Sequence, residues 1–219
     1  MAVAALLGAC GGGEESSSAN EAAGTYDLKV TEASLPTEQR LGQTSTLRLG
    51  VRNAGERTVP TLTVTVAIAG RDGSTSGLPF GVRERQAGLA QPDRPVWVLA
   101  PGYPKAADAP AGEAGGTETS NAKTFSFGPL KAGESTAVVW KLSAVRAGDY
   151  DLRYQVGAGL SPEVKARTTG GVAPGGTFAV TIDSEPQNTE VTDSGEVVEI
   201  EGGEPRGDRA RVVPRSEGE

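Results

Sequence analysis

Catalysis and metal binding near neutral pH draw chiefly on histidine, cysteine and grouped carboxylates. This 219-residue chain has no histidine and one cysteine, Cys10, so it cannot form an intrachain disulfide and lacks the His/Cys cluster of a zinc site. Paired carboxylates or a Ser/Lys dyad are the remaining options for enzyme chemistry. Asp149 and Asp151 stand two apart on one strand and point to one face, but they flank Tyr150, whose core-facing ring leaves both acids solvated. The acidic run from Glu185 to Glu204 lacks the spaced Asp/Gly pattern of a calcium loop and reads as a solvated, self-repelling tail. No catalytic residue, metal ligand or cofactor is therefore expected.

Recognition is the alternative to chemistry, and aromatic side chains dominate both interfaces and cores. Trp97 lies in Arg94-Pro95-Val96-Trp97-Val98-Leu99-Ala100-Pro101-Gly102-Tyr103, where prolines hold the backbone extended. Phe80, Trp97 and Tyr103 form the candidate partner surface, against the competing reading that Trp97 closes an edge or end of the fold. Trp140, with Val138 and Leu142 on its face, reads as core. Arg206-Gly207-Asp208 spells an integrin-recognition tripeptide, which common residues in a Gly- and Arg-rich chain produce by chance.

The elements that must carry these residues are strands. Period-two alternation recurs at Tyr26/Leu28/Val30, Leu47/Leu49/Val51, Leu62/Val64/Val66/Ile68, Phe125/Phe127, Val138/Trp140/Leu142, Tyr150/Leu152/Tyr154/Val156 and Phe178/Val180/Ile182. Turns with a glycine suited to positive φ punctuate them, at Asn53-Ala54-Gly55-Glu56, Lys131-Ala132-Gly133-Glu134 and Arg146-Ala147-Gly148-Asp149. Seven strands without helical periodicity predict an all-β antiparallel sandwich over residues 25–183, with an insertion at 70–121. Within the insertion, residues 78–104 carry enough apolar groups for one or two short strands, whereas 105–121 read as a mobile excursion.

Two stretches carry a resemblance. Ser45 to Val66, with Val51-Arg52-Asn53-Ala54-Gly55 between Thr/Val/Leu strands, resembles bacterial immunoglobulin-like domains of the CARDB type, a family named for its relation to cell adhesion. Leu130-Lys131-Ala132-Gly133-Glu134 followed by Gly148-Asp149-Tyr150-Asp151-Leu152 is similar to the corresponding part of many immunoglobulin-like and fibronectin-like folds. The resemblance implies an exported surface module, with Tyr150 as a tyrosine corner whose hydroxyl ties back to backbone.

The N-terminus suits export. Leu7-Gly8-Ala9-Cys10 resembles the bacterial lipobox, which implies acylation of Cys10 and removal of residues 1–9 as a partial signal peptide. No Lys or Arg precedes the apolar run, which we read as a start codon assigned too late. Residues 10–24, rich in Gly, Ser and Glu, suit a flexible tether, and 184–219 an acidic, mostly disordered tail. Of the net charge of -7, residues 10–24 carry -3 and 184–219 carry -6, leaving about +2 for the fold. No basic stripe is visible in the sequence, so nucleic acid is not expected as a partner. Together these features predict a lipoprotein on the outer face of the bacterial cytoplasmic membrane or in the envelope. Its expected role is a non-catalytic binding or structural module toward protein or glycan, or alternatively an accessory subunit that orients an envelope enzyme or transporter.

Overall fold

Seven alternating segments leave one apolar row per strand, and two sheets facing one another are what bury such rows. The structure, a computed structural model, describes residues 21–71, 79–81, 95–109, 117–118, 123–186, 188–193 and 197–199. Cys10, Arg206-Gly207-Asp208 and the parts of the 70–121 insertion between these ranges lie outside the described residues.

The chain opens with β1 (Gly24–Ser34), β2 (Glu38–Leu41), β3 (Thr44–Asn53) and β4 (Thr63–Gly70). The insertion supplies β5 (Phe80–Gly81), β6 (Trp97–Leu99), β7 (Lys105–Ala106) and β8 (Thr117–Glu118). Then come β9 (Thr124–Ser126), β10 (Ser135–Ala144), β11 (Gly148–Gly157), β12 (Val164–Arg167) and β13 (Gly175–Pro186). One sheet runs β12-β1-β3-β10-β6-β5 with β7 also on β10, and the other runs β2-β13-β11-β4-β9-β8. Taking β1, β3, β4, β6, β10, β11 and β13 as the seven principal strands, the first sheet orders them first, second, fifth, fourth, and the facing sheet seventh, sixth, third. That is the strand order of an immunoglobulin-like sandwich.

All seven alternating segments carry a strand, β1, β3, β4, β9, β10, β11 and β13, although Leu62 precedes β4 and Phe127 follows β9, and the fourth principal strand is β6 of the insertion rather than the Phe125/Phe127 segment, which joins the facing sheet beside β4. In β3, Ser45, Leu47, Leu49 and Val51 are buried while Thr46 and Arg52 are exposed; in β11, Tyr150, Leu152, Tyr154 and Val156 face the core. The expectation of purely antiparallel pairing is corrected: β12 on β1, β2 on β13 and β5 on β6 are parallel. All three join a short strand to the edge of its sheet, where a crossing segment arrives rather than a hairpin. β2 escaped the pattern because Glu-Gln-Arg-Leu has no alternating apolar row, and its buried residue is the polar Gln39. The chain reaches it through Leu35-Pro36-Thr37, where Pro36 offers no amide to continue the β1 ladder and the Thr37 carbonyl takes up the Thr181 amide on the other sheet.

Two further segments contain short strands. Within the 105–121 excursion, β7 pairs with β10 and β8 with β9. Within the acidic tail, β14 (Thr189–Val191) and β15 (Val197–Glu199) pair antiparallel.

The crossing from β3 to β4 is held by a buried side chain. Asn53, fully shielded from solvent, donates through Nδ2 to the carbonyls of Arg57 at 2.8 Å and Leu130 at 3.0 Å, and its Oδ1 accepts the Gly55 amide at 3.0 Å. Its backbone amide donates to Glu134 and its carbonyl accepts from Gly133, so the outgoing turn and the returning 128–134 turn meet on one residue. A buried amide stabilises only when its partners are present, and here each is. Asn53→Ala leaves the Arg57 carbonyl and the Gly55 amide without their side-chain partner and the Leu130 carbonyl with the Val59 amide alone, and is expected to cost about 1–3 kcal/mol by chemical denaturation, with Asn53→Asp, which keeps the volume but loses the donors, no better tolerated.

Candidate functional site

Phe80, Trp97 and Tyr103 were the candidate surface, and the sheet register decides against two of them. β6 pairs with β10 so that Trp97 stands beside Ala144, and parallel pairing sets Phe80 beside Trp97. Trp97 is 0% exposed and Phe80 is buried, while Tyr103 is half-buried with the Lys105 ammonium 5.3 Å from its ring centroid. Trp97 and Phe80 therefore present no face to a partner: β6 and β5, the short strands at the sheet margin, turn these large rings inward onto the core. A run of tilted and edge-on ring pairs results, Tyr150–Trp97–Phe80–Phe125–Trp140–Phe127, with centroids 5.6 to 6.4 Å apart.

Burial of Trp97 requires a partner for its indole. Trp97 Nε1–H donates to Gln39 Oε1 at 2.8 Å, and Gln39 Nε2–H donates to the Pro36 carbonyl at 2.7 Å. This chain of bonds ties the insertion to the segment that switches sheets. Gln39→Leu keeps the bulk and orphans the indole, for an expected loss of about 1–3 kcal/mol. The same substitution in a Trp97→Phe background costs less, since no buried N–H is left unmade; a double-mutant cycle on thermal midpoints checks this.

Asp149 and Asp151 face solvent, as their position beside Tyr150 implied. They share Arg71: Nη2 lies 3.2 Å from Asp149 Oδ1, Nε lies 3.9 Å from Asp151 Oδ1, and Thr181 Oγ1 donates to Asp149 Oδ1 at 2.7 Å. A guanidinium and a hydroxyl thus occupy the acids on the open face of the second sheet. Tyr150 makes the corner that the resemblance implied, its hydroxyl donating to the Ala147 carbonyl at 2.8 Å. The chain approaches so closely there that a Cβ on Gly148, whose φ is +141°, would lie 2.9 Å from that hydroxyl.

Sequence reasoning missed the N-terminal end of the sandwich. Glu21 accepts the amides of Leu160 and Ser161 at 2.8 Å each, Tyr26 Oη–H donates to the Ala22 carbonyl at 2.8 Å, and the Gly24 amide donates to Glu163. Arg57 donates to the Thr25 carbonyl at 2.9 Å and lies 4.5 Å above the Tyr26 ring. A shallow polar pocket of about 50 Å³ lies here, lined by Thr25, Tyr26, Asp27, Asn53, Gly55, Glu56 and Arg57. That volume holds little more than a water molecule. Beside it Arg167 Nε–H donates to Asp27 Oδ1 at 2.7 Å. That hydrogen bond, with the charges of Arg167 and Arg57, holds the Asp27 carboxyl below its ordinary value despite some desolvation, and Asp27 in turn raises Arg167.

Among the described residues no group of three or more His, Cys, Asp or Glu side chains is placed to hold a metal ion, and no helix is long and apolar enough to cross a membrane. No protein-family model matches the chain and no curated protein matches it. Among solved structures it is similar to the CARDB domain of a Pyrococcus furiosus protein determined with di-metal ions, at 16% identity over 72% of this chain and 89% of that one, with a TM-score of 0.40. A solution structure of the same domain aligns at 15% identity over 73% of this chain and 96% of that one, with a TM-score of 0.41. Escherichia coli alpha-2-macroglobulin, from its MG7 domain to the C-terminus, aligns at 15% identity over 78% of this chain and 21% of its own, with a TM-score of 0.39. At such scores the ground for the immunoglobulin-like fold is the strand order itself.

A depressed carboxylate pKa contributes stability above its unfolded value and loses it as pH falls through the folded one. The stability difference between the native chain and Asp27→Asn is therefore expected to be flat from neutral pH down to about the ordinary aspartate value of 3.8 and to shrink below it. Because this pair is exposed, the difference is small; denaturation midpoints across an acid titration check it.

Proposed function

We propose that the chain is an exported, lipid-anchored, non-catalytic module of the bacterial envelope that recognises a partner protein through its outer faces. The observation that carries this reading is the clamp at Glu21. Glu21, eleven residues after Cys10 of the lipobox-like Leu7-Gly8-Ala9-Cys10, is held on the Leu160 and Ser161 amides. A tether pulling on Cys10 would load a stitched sandwich end rather than a fraying strand.

Protein is favoured over glycan by where the rings sit. Seven of the ten aromatic side chains are buried, and Tyr103, Phe127 and Phe178 are half-buried. An exposed ring on which a sugar could stack is missing from that set, whereas charged faces suit protein recognition and partner choice. The acids that sequence reasoning weighed for catalysis are held by Arg71 and Thr181 on an open face, an arrangement that favours a solvated surface over a reaction cleft.

Mass spectrometry of the membrane fraction after expression from the full reading frame tests the anchor. Acylated Cys10 is expected as the mature N-terminus, with Cys10→Ser released to the soluble fraction. A protein with an unmodified Cys10 in the soluble fraction would overturn the reading.

A further inference from the structure

Net charge concealed how the fold sorts its ions. Strand alternation puts Lys29, Arg48, Arg52, Lys105, Lys141, Lys165 and Arg167 on the outward side of the β12-β1-β3-β10 sheet, as their register partners show. Among the described strand residues the acids on that side are Asp27, which pairs with Arg167, and Glu32, which pairs with Arg48 at 2.9 Å. Lys29, Arg52, Lys141 and Lys165 make no ion pair among the described residues. Lys29 and Arg52 stand directly opposite one another across the β1–β3 ladder, a like-charge placement that works against pairing. The expectation that the fold carries no basic stripe is thereby corrected: each strand contributes one or two cations, too far apart in sequence to read as a run.

The remaining charge is arranged in opposition. Eight acids and no base lie between Asp183 and Glu204, a segment that leaves from the end of β13. Gly148 pairs with Ile182 at that end, whereas the chain enters at Gly24, beside Val164, at the other. The basic sheet is also the one that receives the N-terminal segment, and the ten residues between Cys10 and Glu21 span at most about 36 Å. Among the cations the outward side chains of β3 and β10 are Thr46, Gly50, Ala137, Val139 and Ser143, with no ring to anchor a protein partner.

We propose that this basic sheet face lies against the anionic phospholipid headgroups of the membrane that holds the anchor. The domain then rests on its side, with the Arg71–Asp149–Asp151 face and the acidic C-terminal segment turned away toward partners. The inference rests on the lipid-anchored reading, but its test does not use the anchor.

The full chain carrying Cys10→Ser is sedimented with vesicles of phosphatidylcholine containing about one third phosphatidylglycerol. Binding is expected, weakening as salt is raised from about 0.1 M to 1 M and the Debye length contracts from about 10 Å to 3 Å. Lys29→Glu/Arg52→Glu is expected to lower partitioning about tenfold or more. Arg40→Glu/Arg153→Glu, an equal change of charge on the opposite sheet, leaves it within about twofold; melting curves confirm that both variants fold. Equal loss in the two variants, equal binding to vesicles of phosphatidylcholine alone, or capture by a short DNA duplex without capture by vesicles would overturn the proposal. Face-dependent vesicle binding by a chain whose Cys10 is unmodified in cells would uphold the face and refute the anchor alone.

Discussion

The side-chain amide of Asn53 sits where the chain leaves one sheet for the other, and the sandwich closes around it. Its three side-chain hydrogen bonds join the β3 end, the turn at Gly55 and Arg57, and the Leu130 carbonyl of the returning segment. Without that hub, the Arg57 carbonyl and the Gly55 amide would lose their side-chain partner, and an unpaired group costs more than a typical bond returns. The Val59–Leu130 bridge and the Leu62–Gly128 bond extend the same seam toward the core. Apolar rows supply the driving force, while Asn53 ties together the turns through which the chain crosses between the sheets.

What was legible in the sequence follows from which residues carry a local signal. Alternating rows such as Leu47/Leu49/Val51 announce both a strand and its buried side, because a half-buried strand leaves no other pattern. The Asn53-Ala54-Gly55 turn was readable as a turn, but the burial of Asn53 was not, since its partner at Leu130 lies 77 residues away. Edge strands were unreadable for the opposite reason. β2 and β12 are four residues long and charged, which blunts an edge against other chains and also removes the apolar alternation that would reveal it. Trp97 was ambiguous on sequence because prolines and apolar neighbours suit a displayed ring and a packed one equally; only its register against Ala144 and the Gln39 acceptor decide.

The same division runs through the candidate surfaces. Rings that sequence reasoning offered as a binding patch became the aromatic run of the core, so the insertion is structural where it pairs. Features with interaction chemistry emerged from placement instead: a carboxylate clamp built from residues 139 positions apart, and cations on the first sheet's outward face gathered from five strands. A count of charges over residues 25–183 averages that face with its acidic surroundings, which is why near-neutrality was a poor guide to the surface.

Native-state hydrogen exchange followed by residue-resolved NMR tests the central role of the Asn53 seam most directly. The account predicts that the amides of Asn53, Val59 and Leu130 and the Asn53 side-chain amide exchange as slowly as the centre of the β3–β10 ladder, through global unfolding alone. Exchange of these groups at the rates of open loops, with the ladder still protected, would contradict it.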